Sequence, residues 1–326
     1  LLTDLLSFVF NSKGCKLVLV GDQAQLPPVG LDQSPALDIE LLKGYYGLDV
    51  YATELTEVMR QQQNSGILFN ATNLRSVIDE EQWPRLITKG FNDCYKIGGD
   101  RLTDGLNYAY NKFGIENTLV ICRSNKNAND FNREVRNRIL FREEEITGGD
   151  YVMIVRNNYF WLPETSEIGF IANGDIARIR KVRNEEEQYG LRFVNAFLEL
   201  IDYPNEPAIE CKLMLDTLTS EAPSLPAEQN KQFYEAVLQD YMHIKNKKER
   251  YDELKKNPYF NALQVKFAYA VTCHKAQGGQ WDAVFVDQGY LKEEMVNKDF
   301  KRWLYTATTR ATKELYLLNF NEQFFE

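Results

Sequence analysis

Residues 271–282 constrain this chain more than any other stretch. They hold Thr272, His274, Lys275, Gln277, Gly278, Gly279 and Gln280 between two largely apolar runs, 265–270 and 283–286. Short apolar runs with polar boundaries read as buried strands, so the stretch reads as strand, polar turn and strand. Gly278 and Gly279 permit positive φ and let the backbone approach a ligand closely. Hydrogen-bonding side chains set this densely, together with the charge of Lys275, suit a phosphate or a polynucleotide backbone. An ordinary Gly-Gly loop with a solvated lysine would use the same residues.

The same grammar recurs along the chain. Residues 16–20 make an apolar run that ends at Gly21 and Asp22. Residues 118–122 make another, followed by Arg123, Ser124 and Asn125 and a helical pattern over 128–140 that carries Arg133, Arg136 and Arg138. Residues 283–287 and 314–318 read as further strands, with one helix over 293–302 and a second beginning at Trp303. Strands alternating with helices predict an α/β fold built on a parallel sheet. Ligands of such sheets bind beyond the carboxyl ends of the strands, which places Asp22, Gln25, Ser124 and Asn125 where one would sit. Ser124 reads equally well as a helix N-cap.

Residues 147–261 differ in character. Residues 151–155 and 175–180 alternate or run apolar, and Asn157, Asn158, Asn173 and Gly174 mark turns, which predicts a β-rich insertion. The rings of Tyr159, Phe160 and Trp161 read as barrel core, with base stacking as the other use of such a cluster. Residues 228–256 read as a long helix or a helical hairpin, since Phe233, Val237, Tyr241, Ile244, Tyr251 and Leu254 recur near helical spacing.

The central stretch resembles the T-x-H-K-x-Q-G segment of superfamily-one DNA helicases of the RecD-like branch. Residues 20–29 (with Asp22 and Gln25), 55–61 (with Arg60) and 304–311 (with Arg310) match the same family in the same order. The resemblance implies RecA-like parallel-sheet motor domains, the first incomplete, with an inserted SH3-like β-barrel. It implies a first motor domain over 1–114, a second over 115–146 and 262–326, and a barrel with a helical segment over 147–261. It implies ATP and Mg²⁺ as cofactors and single-stranded DNA as partner. In that family Gln25 reaches the γ-phosphate, Arg60 contacts it, and Arg310 is a second arginine finger. Gly278 and Gln280 adjoin the nucleotide; the family has Glu at the position of Gln280, which keeps the hydrogen bonding and loses the charge. Thr272 and His274 contact the DNA backbone, with Ser124, Asn125 and Lys275 beside them.

Charge and composition bound this reading. Net charge is −9, so a nucleic-acid contact must be a local groove whose potential opposes the bulk field. Hydrophobic content of 44% and charged content of 26% fit an ordinary globular protein, with no apolar run long enough for a membrane span. Five scattered cysteines and two histidines give no zinc pattern, and reduced thiols predict a cytoplasmic setting. The chain contains no G-x-x-x-x-G-K-[ST] and no apolar strand ending in Asp-Glu. Leu1 opens an amphipathic helix with no N-cap ahead of it, so the expectation is a C-terminal fragment whose main ATP and Mg²⁺ ligands lie upstream, inactive alone. Two other functions fit the same residues: a non-hydrolysing nucleic-acid-binding or regulatory module, and an ATPase subunit of a recombination exonuclease complex with further subunits as partners.

Overall fold

The computed structural model describes every residue except 12, 56–63, 164 and 326. In chain order the helices are α1 (Leu2–Phe10), α2 (Ile39–Gly44), α3 (Gly66–Ser76), α4 (Leu102–Phe113), α5 (Asn125–Glu134), α6 (Ala227–Gln239), α7 (Lys247–Leu254), α8 (Cys273–Ala276) and α9 (Lys298–Thr308). The strands are β1 (Cys94–Ile97), β2 (Thr118–Cys122), β3 (Tyr151–Ile154), β4 (Ile176–Gln188), β5 (Leu191–Leu200), β6 (Ile209–Met214), β7 (Leu263–Phe267), β8 (Ala270–Thr272), β9 (Trp281–Asp287) and β10 (Ala311–Leu318). The chain divides into two compact units. Unit one holds Leu1–Cys94, Leu291–Thr309 and Asn321–Glu326; unit two holds Tyr95–Tyr290 and Arg310–Phe320.

Unit two carries a five-stranded sheet in the order β1-β10-β9-β2-β8. β10 with β9, β9 with β2, and β2 with β8 all pair parallel. Leu119, Val120, Ile121 and Cys122 of β2 are wholly buried. A parallel strand covered on both faces has no polar side, which is why its sequence is a continuous apolar run instead of an alternating one.

Between α5 and β8 the chain builds a second layer of structure, a closed five-stranded barrel, β3-β4-β5-β6-β7. Its pairs are antiparallel except β6 with β7. The apolar run 265–270 is therefore shared between two sheets. β7 ends in the barrel at Phe267; the Ala268 amide then donates to Tyr151 O in the barrel (3.0 Å), and Tyr269 O accepts from Val120 N in the parallel sheet (3.0 Å). Asn132 of α5 satisfies the backbone at this crossing. Its Nδ2 donates to Phe267 O and Ala270 O (3.3 and 2.9 Å), and its Oδ1 accepts from Ala270 N (2.8 Å).

Asp150, fully buried, pins the start of the barrel to the end of α5. Its carboxylate accepts from Arg136 Nε (3.0 Å), Arg142 Nη1 (2.5 Å), Tyr269 OH (2.8 Å) and Thr147 N (2.8 Å). To reach it, α5 passes into a π-type turn, Val135–Ile139, and Arg136 lies inward with its guanidinium 4.4 Å from the Phe267 ring centre. Arg136 thus leaves the basic helix face that the sequence predicts, because a buried carboxylate demands paired cations. On the far side of the barrel α6 and α7 form the predicted helical hairpin; Phe233, Val237 and Leu254 pack on Leu191, Phe193 and Met214.

The core assignment of the aromatic triplet is overturned. Tyr159 is 72% exposed and Phe160 36%, and Trp161 is half-buried with its Nε1 donating to Asn261 O (2.7 Å). The segment joins the barrel outside its regular strands, through an isolated bridge between Asn158 and Ile171 and through Asn261 O, so its side chains lie outside the barrel's inward alternation.

Unit one corrects two expectations. Residues 16–20 are not a buried strand: they are irregular, with Val18 81% and Val20 88% exposed. A strand needs a ladder, and among the described residues none pairs with this run. The two helices expected over 293–310 are one helix, α9, preceded by a 3₁₀ turn at Glu293–Met295. Asn297 caps α9 through Oδ1, which accepts from Phe300 N (3.0 Å), and Phe300 through Thr308 are buried without a break. At α3 the Ser65 Oγ accepts from Leu68 N (3.2 Å) and caps the first turn.

Candidate nucleic-acid interface

The predicted site residues of unit two fall at opposite edges of its sheet. β2 and β8 are adjacent and parallel, with Cys122 opposite Thr272, so the residues that follow them emerge side by side beyond one carboxyl edge. After β2, Ser124 caps α5, its Oγ accepting from Asn127 N (3.1 Å), and Asn125 is the first helical residue. The cap and a ligand contact are compatible, since Ser124 stays exposed. After β8, the expected simple turn is a single turn of helix, α8, which begins directly at Thr272 and carries His274 and Lys275.

Asn125, Thr272 and Lys275 line one narrow cleft, together with Asn129 of α5 and Lys266 of β7. Lys275 Nζ donates to Asn173 Oδ1 in the turn before β4 (2.7 Å), so the barrel holds the lysine in place. Burial lowers the Lys275 pKa. Burial, with repulsion from Lys275, pushes Lys266 down to about 8. Lys266 donates to Thr217 O (3.2 Å) and to Ser220 O. His274 is exposed at its surface, while the protein around it partly desolvates the ring and lowers its pKa. A neutral imidazole, a hydroxyl, amides and two cations are donors suited to phosphate oxygens; none is poised as a nucleophile. Lys266 was missed in the sequence, where it passed as part of a strand. Its signal was there: a lysine inside an apolar run must be paired or used.

The second group lies at the amino edge. Gly278 has φ +88° and ends the crossover; the Gly279 amide donates to Ala276 O (3.2 Å). A Cβ at Gly279 would lie 2.4 Å from the Trp281 ring, so glycine is required there by packing. Arg310 stands just before β10 as Gln280 stands just before β9, with Ala311 opposite Trp281. Arg310 is buried; its Nη1 donates to Gly279 O (3.1 Å) and its carbonyl accepts from Trp281 N (3.0 Å). Gln280 is exposed. The Cys273 thiol, pushed up to about 12 by burial and drawn slightly back by Arg310, is protonated and inert at neutral pH. Residues 273–280 therefore run from one edge of the sheet to the other, touching the first group at their start and Arg310 at their end.

In unit one, Asp22 and Gln25 share a turn. Gln25 Nε2 donates to Asp22 Oδ2 (3.4 Å), Ala24 N to Oδ1 (3.0 Å), and Tyr305 OH of α9 to Oδ2 (2.8 Å), while Arg75 of α3 forms an ion pair with the same carboxylate. Burial alone would raise the Asp22 pKa, but the Tyr305, Ala24 and Arg75 contacts outweigh it and hold the carboxyl below its ordinary value. Thr306 Oγ1 accepts from Leu26 N (2.9 Å). The turn and α9 are thereby joined although far apart in sequence. Neither Arg75 nor Tyr305 was singled out in the sequence, since nothing local distinguishes them from solvated residues. Arg60 lies outside the described residues.

No group of three potential metal-binding side chains occurs among the described residues, and Asp287, where β9 ends, is buried with its pKa raised by burial and bonded by Asn319. Among the described residues no helix is long and apolar enough to cross a membrane.

Residues 267–318, which contain β8, α8, β9, α9 and β10, match the family of UvrD-like helicase C-terminal domains. Among solved structures the chain is similar to Pif1 helicase from Bacteroides in complex with ADP-AlF3 and ssDNA, at 13% identity over 98% of this chain and 67% of that one, with a TM-score of 0.46. It is also similar to Pif1 helicase from Candida albicans, at 14% identity over 92% and 64%, with a TM-score of 0.37. A structure of two coordinating Pif1 helicases at forked dsDNA aligns at 15% identity over 98% and 66%, with a TM-score of 0.45. The chain spans about two thirds of the length of those chains. No curated protein matches the sequence.

Proposed function

We propose that this chain is the C-terminal part of an ATP-driven helicase or translocase of the RecD-like branch that moves on single-stranded DNA. The observation that carries this reading is the division of unit two's site residues between the two edges of one sheet, joined by residues 273–280. Ser124, Asn125, Thr272, His274 and Lys275 form the DNA-facing group. Gly278, Gln280 and Arg310 form the nucleotide-facing group, and a displacement at Arg310 reaches Thr272 through its hydrogen bond to Gly279 O and the backbone of residues 273–279. In unit one, Asp22 positions Gln25 to sense the outer phosphate of ATP, and Arg60 is assigned to the same phosphate.

ATP would supply the driving force. Arginine and glutamine can contact a phosphate that is already held, but a cradle of backbone N–H groups and a Mg²⁺ ligand set are separate requirements. The residues described here provide contacts and no cradle, so no step of hydrolysis is assigned to them. The reading predicts a chain that grips single-stranded DNA through a few phosphates and turns over no ATP. The test pairs fluorescence anisotropy of a labelled dT oligonucleotide with a steady-state ATPase assay. Salt-sensitive binding without turnover is the expected result. DNA-stimulated ATP hydrolysis by the purified chain, or no binding at low salt, would overturn it.

A further inference from the structure

Tyr159 and Phe170 stack on each other on the outside of the barrel, with ring centres 5.0 Å apart and planes tilted by 27°. Both are exposed, Tyr159 at 72% and Phe170 at 37%. Burial of these faces accounts for neither ring, and the neighbouring Trp161 shows the contrast: it is half-buried and spends its N–H on Asn261 O. Two aromatic residues from separate arms of one loop, laid ring on ring at the surface, leave an outer face free of the barrel's own packing.

A line of hydrogen bonds fixes that pair relative to the cleft. Asn157 Nδ2 donates to Tyr159 OH (3.3 Å). Asn157 Oδ1 accepts from Asn173 N (2.7 Å), and Asn173 Oδ1 accepts from Lys275 Nζ (2.7 Å). The two arms are closed by the reciprocal bonds between Asn158 and Ile171 (2.8 and 2.9 Å). Lys275 of the cleft and the exposed ring pair are thus tied together through two side-chain amides.

We propose that Tyr159 and Phe170 form a base-stacking platform that continues the strand path from Lys275 onto the barrel. The occupant is a base of single-stranded DNA whose backbone phosphate lies at the Lys275 cleft. The inference rests on the DNA-binding reading above and adds to it a contact of different chemistry. Aromatic stacking tolerates any base and releases no counterion, whereas a phosphate contact is salt-dependent. Lys275 supplies a local positive charge in a chain whose net charge is −9.

The test measures binding of the whole chain to labelled dT and to the same oligonucleotide carrying abasic sites, across a salt series. Tyr159→Ala should weaken dT binding roughly 5- to 150-fold, the range for one lost stacked base, with the salt slope unchanged. The abasic oligonucleotide should bind wild type more weakly than dT does and be insensitive to Tyr159→Ala. Tyr159→Phe keeps the ring and should keep the affinity, which separates stacking from a folding defect. Wild-type chain that binds dT with a normal salt slope but is indifferent to both Tyr159→Ala and abasic sites overturns the platform alone. A chain that binds no dT overturns the DNA-binding reading, and the platform with it.

Discussion

The two edges of unit two's sheet are built on opposite plans. At the carboxyl edge Ser124 and His274 are exposed, and Lys275 is steadied from outside by Asn173 of the barrel. At the amino edge Arg310 is buried and steadied from inside by Gly279 O, a residue of the same crossover. An open edge with donors held by neighbouring structure suits a polymer that must enter and leave. A buried guanidinium held by backbone suits a group that acts at one place and reports on it. Under the proposed function the two edges take separate ligands even though one short segment joins them.

The largest expected effect tests whether the open edge depends on the barrel. Asp150→Ala would leave Arg136 buried without its partner, and should destabilise unit two by roughly 3–5 kcal/mol. Urea unfolding of the variant checks this, and a loss under about 1 kcal/mol would mean that Asp150 does not pin barrel to sheet. Next, Arg310→Ala removes a charged donor from Gly279 O and should cost on the order of 1–3 kcal/mol of stability while leaving single-stranded DNA affinity within about twofold. A large loss of DNA affinity there would erase the distinction between the edges.

At the open edge, Lys275→Ala should weaken DNA binding about tenfold and lower the salt slope by about 0.7, the value for one phosphate on a single strand. The smallest effect on DNA affinity is that of Lys266. Its folded pKa of about 8 lies below the ~10.4 of an unfolded lysine, so the unfolded chain binds the extra proton between those values. Stability should therefore rise from pH 8 toward 10, while DNA affinity falls a few-fold over the same window as the cleft loses a charge. Lys266→Met should flatten both profiles, and parallel profiles in wild type and variant would remove Lys266 from the cleft.

The parallel sheet of unit two could be read from the chain because strands such as β2 and β9 are buried on both faces. The run over 118–122 and the strand β2 coincide, and Ser124 caps as its position suggests. The run over 16–20 is similarly apolar but has no partner strand among the described residues, so it stays irregular and largely exposed. Apolar character states what a strand would look like; only a ladder makes one. The site followed the same division. Thr272, His274 and Lys275 are visible because they are polar residues clustered in a short segment. Lys266, Arg75 and Tyr305 gain their roles only from contacts distant in sequence, such as Tyr305 on Asp22. The triplet at Tyr159 misled because aromatic residues are usually buried, and its outward turn is set by a loop bridge that no local pattern encodes.

The central claim is that the carboxyl edge grips the backbone of single-stranded DNA through the turn after β8. The most direct measurement compares dT binding by wild type and by the Thr272→Ala, His274→Ala double variant in anisotropy titrations. Both side chains lie at the surface end of a short helix, so circular dichroism and urea midpoint should be unchanged. The account predicts at least a tenfold loss of affinity from two lost hydrogen bonds to phosphate. A double variant that binds dT as tightly as wild type, at every salt concentration, would contradict it.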